Sequence, residues 1–202
     1  DFKKIFNIKA KYIYNPFDKK LIKKNNNKKN LFKKKSLKIL SIGRLTSQKD
    51  HITLLKAAKL INPNLNPEIL IIGKGSEYYN LKNYIKINNL KNIVKLIGYK
   101  KQPYSYIQKS NIFVLTSKYE GLPNVLLEAQ YLKKYIISTS CPTGPREILL
   151  NGRAGDLFDV GNYKKLASFI NKYKFNKKNI SIKIRAGLKN FSRFDYFENC
   201  NK

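Results

Sequence analysis

Glu120 and Glu128 lie eight positions apart, in the segment whose residue types say most about the function of this chain. Gly121 and Pro123, which favour a turn, lie between them, and the apolar run 111–116 comes just before. This order predicts a strand, a tight turn and then a helix. It would place one acid at the turn, backbone N–H groups at the helix N-terminus and the second acid on the helix. Such a surface suits a ligand with both phosphates and sugar hydroxyls.

Two basic residues follow an earlier apolar run. Residues 37–43 are typical of a buried strand that closes at Gly43, and Arg44 and Lys49 lie before the helix predicted to start at Asp50. Arg can bind a phosphate bidentately and Lys binds it as a point charge, so the two could clamp a diphosphate. A merely basic loop in a basic protein is the alternative.

Two further loops carry glycines. One of them is Gly73-Lys74-Gly75-Ser76, which lacks the spacing of a P-loop. Its glycines therefore indicate either a tight strand-to-helix turn or a close approach of the backbone to a ligand. Gly98 and Tyr99 follow the next apolar run.

The elements that must position these loops alternate along the chain. Short apolar runs that end in Gly or a polar turn alternate with amphipathic stretches, which predicts an α/β fold: a Rossmann-like parallel sheet sandwiched by helices. Ligands of such sheets bind beyond the carboxyl ends of the strands, where all four loops would meet. We predict strands at 37–43, 68–73, 93–98, 111–116, 135–139 and 156–158. We predict helices from Asp50 to Asn62-Pro63 with Leu60 in the apolar stripe, at 76–88, 104–109, 122–132 and 146–150, and from Tyr163 and Lys177.

The composition sets 42 Lys and Arg residues against 12 Asp and Glu residues, a formal net charge of +30. One interpretation is functional, since such a field attracts nucleotides, nucleic acid or anionic lipid headgroups. The other is compositional drift, in which Lys fills solvated positions. The Lys-Asn run 23–30 is typical of a loop, because it lacks the interleaved aromatics of a nucleic-acid-binding arm.

The remaining composition fits one globular domain. A chain of 202 residues can bury one good core, and no apolar run approaches the roughly 18 residues needed to span a bilayer. Two Cys and one His supply neither a disulfide framework nor a zinc set, so we expect a reducing cytosol. His51 and Cys141 are interpreted as packing residues. The sequence has no Met, so we expect it to be part of a longer protein.

Four motifs in order and spacing resemble the C-terminal, donor-binding half of a GT-B glycosyltransferase, most closely family 4, the "glycosyl transferases group 1" domain. The resemblance covers about residues 36 to 175 and implies one half of a GT-B fold. The motifs are Gly43-Arg44-Leu45 with Lys49-Asp50, Gly73-Lys74-Gly75, the segment from Glu120 to Ala129, and the segment from Cys141 to Leu149.

The resemblance implies roles for these residues in retaining transfer of a hexose or N-acetylhexosamine from a nucleotide-diphosphate sugar, such as a UDP-sugar. Arg44 and Lys49 match the pair that neutralises the leaving diphosphate, and Glu120 matches the acid that contacts the donor sugar, so these three are the catalytic candidates. Glu128 matches the acid that binds the ribose. The resemblance implies neither a metal nor a further cofactor. The other donor-binding candidates are Gly43, Gly73, Gly75, Gly98, Tyr99, Gly121, Leu122, Pro123, Asn124 and Val125.

The family pattern also implies a second domain. Enzymes of this kind have an N-terminal acceptor domain, which is missing from this sequence. We interpret residues 1–35 as a connector and basic loop from it, and 36–202 as the nucleotide-sugar domain with its C-terminal helices. The aromatics near Phe191 to Phe197 would then form an exposed patch.

The expected partners are a nucleotide-sugar donor, a lipid-linked or glycan acceptor and the missing domain in cis or in trans. We expect a cytoplasmic location, with the basic charge drawing the chain to an anionic membrane surface, and no nucleic acid as a partner. Two alternatives stay open. One is a fragment or subunit that binds nucleotide-sugar without activity alone, and the other is a basic nucleic-acid-binding domain.

Overall fold

A computed structural model describes residues 35–194 of the chain, together with Ile22, Phe32 and Lys33. Its strands are β1 (Leu37–Ile42), β2 (Pro67–Ile72), β3 (Val94–Gly98), β4 (Ile112–Leu115), β5 (Tyr135–Thr139) and β6 (Asp156–Phe158). They form one parallel sheet in the order β3-β2-β1-β4-β5-β6. The chain winds outward in both directions from β1 and β4, and this reversal of order defines the crevice where doubly wound sheets bind ligands.

Helices cover both faces of the sheet. They are α1 (His51–Ala58), α2 (Tyr78–Ile87), α3 (Tyr104–Lys109), α4 (Asn124–Tyr131), α5 (Gly144–Ile148), α6 (Tyr163–Asn171) and α7 (Lys177–Lys189). The core of one face contains side chains of α1, α2 and α6, and that of the other face contains side chains of α3, α4 and α5. Within β1, Ile39 belongs to the first core and Leu40 to the second, because successive side chains of a strand point to opposite faces. This arrangement confirms the predicted Rossmann-like α/β fold.

The predicted elements all occur, and most bounds differ from the prediction by one or two residues. The exception is α1, which ends at Ala58, so the prediction that its apolar stripe includes Leu60 was wrong: that side chain is 47% exposed. The chain leaves the helix there because Asn171 of α6 holds the next turn. Its amide donates to the Leu60 carbonyl at 3.0 Å and accepts from the Asn62 N–H at 2.8 Å.

The predicted helix 146–150 instead spans Gly144–Ile148, with Pro145 in its first turn. Proline has a φ suited to that position and loses no hydrogen bond there.

The C-terminal aromatics do not form the exposed patch that we predicted. Phe191 and Phe194 are 5% and 1% exposed and belong to the core on the α4 face, where the Phe191 ring lies 5.6 Å from that of Tyr131. These aromatics are therefore covered by α4. Phe197 lies outside the described residues.

Most of the predicted connector 1–35 also lies outside the described residues. Of the part that is described, Ile22 and Phe32 are buried in the core on the α4 face. The backbone N–H of Lys33 donates to the buried carboxylate of Glu68 at 2.6 Å. In the described part of the chain no helix has the length and apolar content to cross a membrane.

Candidate functional site

The carboxyl ends of β1 and β4 bring together two of the residues singled out in the sequence. Lys49 lies in a 3-10 turn (Ser47–Lys49) after β1, and Glu120 lies in the loop after β4. Their side chains form an ion pair with 2.5 Å between Nζ and Oε1, and they are only 15% and 7% exposed. The Ser117 hydroxyl donates to the same carboxylate oxygen at 2.6 Å. The crevice of the sheet therefore holds a largely buried cation, anion and hydroxyl in direct contact.

The loops after β1 and β4 are also joined through Gln48. Its carbonyl accepts from the Lys118 N–H at 2.8 Å, and its side-chain amide donates to the Tyr119 carbonyl at 3.0 Å. The Thr116 hydroxyl donates to the Lys49 carbonyl at 2.9 Å. These bonds fix the backbone on both sides of the ion pair, so the pair is positioned by two bonded loops.

A third loop, after β5, supports Glu120 from the other side. The Glu120 N–H donates to the Pro142 carbonyl at 2.8 Å, and the Thr143 N–H donates to the Glu120 carbonyl at 2.7 Å. Gly144 is needed beside them, because a Cβ on it would overlap the Gly121 carbonyl oxygen. Cys141 is 1% exposed in this loop, as expected of a packing residue.

The glycines after β1 and β2 allow the two loops to pack backbone against backbone. A Cβ on Gly73 would overlap the carbonyl oxygen of Gly43, and a Cβ on Gly75 would overlap that of Leu45. The Leu45 N–H donates to the Lys74 carbonyl at 2.9 Å, which holds the contact together. Of the two interpretations of Gly73 and Gly75, the structure supports the tight turn. Their contact with a ligand stays a prediction.

A cleft of about 240 Å³ opens above these loops at the carboxyl ends of β1 and β2. Arg44 is an exposed residue of its wall, and its guanidinium lies 3.5 Å from the Gln48 side-chain oxygen. Tyr99, 62% exposed, forms the wall after β3, with the Lys74 ammonium 5.7 Å from its ring centroid. The cleft thus combines cations with an exposed aromatic face. Its lining is Ile42, Gly43, Arg44, Ile72, Gly73, Lys74, Tyr99 and Lys100.

The helix predicted after Gly121 is α4, which begins at Asn124 directly after Pro123. No side chain caps its N-terminus. The Leu126 N–H donates to the Pro123 carbonyl at 2.9 Å, and the N–H groups of Asn124 and Val125, which have no intrahelical acceptor, can bind an anion. Leu122 and Val125 are partly buried against the core, which leaves the backbone and the exposed Asn124 side chain as the polar surface of this segment.

Glu128 lies one turn into α4 and differs from Glu120 in its surroundings. Its Oε2 is buried and has no hydrogen-bond partner among the described residues. Burial raises the pKa of this carboxyl to about 7. A buried acceptor without a donor is costly, so the group suits a site where a ligand hydroxyl completes the bond.

His51 begins α1 behind the basic loop and is 3% exposed, which agrees with the packing role expected of it. Burial lowers its pKa to about 4, with Lys49 as a smaller cause and the carbonyls of Arg44 and Gly43 opposing the shift. The imidazole is therefore neutral at physiological pH. Asp50 lies at the N-cap position of α1, and its carboxylate accepts from the Thr53 hydroxyl at 2.6 Å.

The described residues contain no group of three or more His, Cys, Asp and Glu side chains that could hold a metal. Three contributors to the site were given no role of their own from the sequence: Ser117, Gln48 and Gly144. Ser117 could have been found, since it directly precedes the Glu120 loop at the end of an apolar run. The roles of Gln48 and Gly144 depend on which loops meet, and no local pattern reveals that.

Residues 22–188 match the family model described as "Glycosyl transferases group 1". The chain is 42% identical over 122 residues to an uncharacterized glycosyltransferase of Methanocaldococcus jannaschii, covering 60% of this chain and 30% of that protein. It is 34% identical over 124 residues to the N-acetylgalactosamine-N,N'-diacetylbacillosaminyl-diphospho-undecaprenol 4-alpha-N-acetylgalactosaminyltransferase of Campylobacter jejuni, covering 61% and 33%. The chain therefore spans about a third of the length of these curated relatives.

Among solved structures, the fold is similar to that of Anabaena HepE in complex with UDP. The TM-score is 0.81 at 22% identity, and the match covers 95% of this chain and 55% of that one. At this identity the similarity shows the fold.

Proposed function

Because this chain belongs to the glycosyl transferases group 1 family, we propose that it binds a nucleotide-diphosphate sugar at the crevice between β1 and β4 and supports transfer of the sugar. The observation that carries the proposal is the ion pair of Lys49 and Glu120 at the strand ends. It places a cation for a diphosphate and an acceptor for sugar hydroxyls in one small space.

The chemistry of transfer requires that the leaving diphosphate be stabilised as its bond to the sugar breaks. Arg44 at the mouth of the cleft and Lys49 in the crevice supply positive charge for it. The N–H groups that begin α4 supply further donors. Such groups stabilise charge that develops in the transition state, and the bonded loops around them hold them in place beforehand.

The two carboxylates would orient the donor. Glu120, held by Lys49 and Ser117, would accept from hydroxyls of the sugar. Glu128, whose Oε2 has no partner in the described structure, would accept from the ribose. Tyr99 and the residues that follow Gly98 would lie against the base, since they form the outer wall of the cleft.

For the finer function we propose retaining transfer of a hexose or N-acetylhexosamine from a UDP-sugar to a lipid-linked or polysaccharide acceptor. The name of the Campylobacter relative specifies an undecaprenol diphosphate acceptor, and the HepE structure contains UDP. Both observations support the proposal for this chain. The acceptor side of the reaction belongs to the whole protein, of which this chain would supply the donor half.

Calorimetric titration of the chain with UDP-glucose, UDP-N-acetylglucosamine, GDP-mannose and ADP-glucose tests the proposal. We expect binding of at least one donor, and a loss of about tenfold or more in Lys49→Met, since charge-assisted hydrogen bonds to phosphate contribute on the order of 1.5–3 kcal/mol. Lys172→Met changes an exposed lysine of the α6–α7 turn and is the matched control. Absence of binding by every donor to a folded chain would overturn the proposal. Binding of an oligonucleotide instead would favour the nucleic-acid alternative.

A further inference from the structure

A second cleft, of about 690 Å³, lies between α2 and β3 at the outer edge of the sheet. We call it the edge cleft. Its apolar lining residues are Ile85, Val94 and Leu96. β3 is the last strand of the sheet and pairs only with β2, so no further described strand covers this edge. The cleft shares no lining residue with the one at the carboxyl ends of β1 and β2.

Two tyrosines lie at the start of α2 in the edge cleft, and their rings meet edge to face with 5.4 Å between centroids. Tyr79 is 78% exposed, and Ile87 at the other end of the same helix is 69% exposed. Tyrosine combines an apolar ring with a polar hydroxyl, which is why it is enriched where apolar and aqueous phases meet. One side of α2 thus presents an amphipathic surface.

The charged residues of the edge cleft are all of one sign: Lys82, Lys86, Lys91 and Lys95 line it, and no Asp or Glu is among its described lining residues. Lys95 is neutralised by the buried Glu68 at 3.1 Å. The other three are exposed. A lysine can lay its apolar stem along an apolar surface and extend its ammonium group to an anion.

We propose that the edge cleft docks the chain onto the anionic surface of a phospholipid bilayer. Lys82, Lys86 and Lys91 would contact headgroup phosphates, while Tyr79 and Ile87 would enter the interface between headgroups and acyl chains. The exposed aliphatic side chain of Ile87 beside the lysines matches the interface of a lipid bilayer, whereas the backbone of a nucleic acid is polar throughout. Tyr79 would also suit stacking on a base, so the test below includes an oligonucleotide. The proposal goes beyond donor binding and does not depend on it.

Sedimentation with vesicles at physiological salt tests the charge requirement. The edge variant is Lys82→Glu/Lys86→Glu/Lys91→Glu. The control is Lys164→Glu/Lys174→Glu/Lys178→Glu, which changes by the same total charge three exposed lysines, one at the start of α6, one in the α6–α7 turn and one at the start of α7. Because α1 packs against both α2 and α6, the two sets lie at opposite ends of one helical layer.

We expect wild-type chain to bind phosphatidylglycerol vesicles and not phosphatidylcholine vesicles. The edge variant should lose affinity by about 100-fold and the control by a few-fold, given roughly fivefold per lysine held near the surface. Equal losses in the two variants would show that total charge alone is responsible and would overturn the proposal. So would an edge variant that keeps vesicle binding and loses binding to a single-stranded oligonucleotide. Circular dichroism and titration with the UDP-sugar check that both variants stay folded.

Insertion into the bilayer is tested separately by tryptophan fluorescence. Since the chain contains no Trp, one introduced residue is the only Trp fluorophore. Tyr79→Trp puts a single fluorophore in the edge cleft, and Phe175→Trp puts one at the α6–α7 turn, where Phe175 is 86% exposed. With phosphatidylglycerol vesicles we expect a blue shift and quenching by brominated acyl chains for Tyr79→Trp alone. Quenching of both or of neither would overturn the proposed orientation. If the donor titrations fail while these results hold, only the proposed function is lost.

Discussion

At the residue scale, the two acids of the site have opposite electrostatic surroundings. Glu120 is held by a cation and a hydroxyl, whereas Oε2 of Glu128 is buried without a described partner. A paired carboxylate is stable as an anion, and an unpaired buried one favours the protonated form. The site therefore combines a carboxylate that is already paired with one whose pKa is raised by burial.

Glu128→Gln should change how stability depends on pH. Burial raises the pKa of Glu128 from 4.5 to about 7, so the folded chain retains a proton that the unfolded chain releases. This group's contribution to folding is fully present below pH 4.5 and is lost as the pH rises to about 7. Relative to wild type, the variant should gain on the order of 1–3 kcal/mol of unfolding free energy between pH 5 and 8. Urea unfolding across this range measures the difference, and parallel pH profiles would contradict the expectation.

Lys49 and Glu120 should show strong coupling in a double-mutant cycle. Lys49→Met leaves the 7% exposed carboxylate without its cation, and we expect a loss of about 2–4 kcal/mol in unfolding free energy. Lys49→Met with Glu120→Gln should recover much of this loss, since no uncompensated charge is left. Chemical denaturation of the four proteins gives the coupling energy, which we expect to be about 1–3 kcal/mol. Additive losses would show that the pair is not coupled.

Among the site residues, the sequence could indicate only those whose type and local position carry the chemistry. The acids, the basic pair and the turn glycines follow strand ends that apolar runs already mark. The pairing of Lys49 with Glu120 spans 71 positions and depends on β1 lying next to β4. The spacing of residues along the sequence does not indicate that these two strands are neighbours.

At the element scale, the site is built mainly from loops, and helix α4 adds Glu128. The loops after β1 and β2 touch through glycine backbones, and those after β4 and β5 are joined by paired hydrogen bonds. Strand ends in a parallel sheet lie about 4.8 Å apart, so loops of this kind are brought close together by the sheet itself. Their rigidity comes from backbone bonding.

Alanine substitutions at two site glycines should separate packing from ligand contact. Gly73→Ala forces a Cβ onto the Gly43 carbonyl and should cost on the order of 1–3 kcal/mol or more, because backbone cannot yield cheaply. Gly121→Ala has no heavy atom within 4 Å of the new Cβ, so its stability should change by less than about 0.5 kcal/mol. Thermal and urea unfolding measure both. Comparable losses at the two positions would contradict this account.

The same Gly121→Ala variant then tests the start of α4 for ligand contact. If a phosphate or sugar approaches this backbone, donor affinity should fall while stability does not. Calorimetry with the donor that binds wild-type chain is the measurement, and unchanged affinity would place the ligand elsewhere.

The elements themselves were largely predictable, because a strand buried on both faces is a continuous apolar run and a covering helix is amphipathic. The strands β5 and β6 and the helix α3 were predicted to the residue. Leu60 and the aromatics Phe191 and Phe194 were not, since each depends on a distant neighbour: Asn171 for the turn, and the core on the α4 face for the aromatics.

At the scale of the whole molecule, the formal charge of +30 works against the compact state, because like charges repel when they are brought together. Salt should therefore stabilise the chain. Raising NaCl from 0.05 to 0.5 M shortens the Debye length from more than 10 Å to about 4 Å, and we expect an increase in Tm of several degrees, about 2–4 °C for each kcal/mol. Differential scanning fluorimetry at several NaCl concentrations measures it. An unchanged Tm would contradict the expectation that repulsion between these charges lowers the stability of the folded chain.

The glycine-to-carbonyl contacts have a consequence for redesign of donor preference. Positions 73 and 75 are closed to any side chain by their neighbours, so variation there is lost to misfolding before it can alter selectivity. Tyr99 and Lys100 line the same cleft, are exposed, and carry no such steric restriction from the backbone opposite. A mutant library aimed at changing the base of the proposed nucleotide-sugar donor should therefore vary these two positions and keep the glycines fixed.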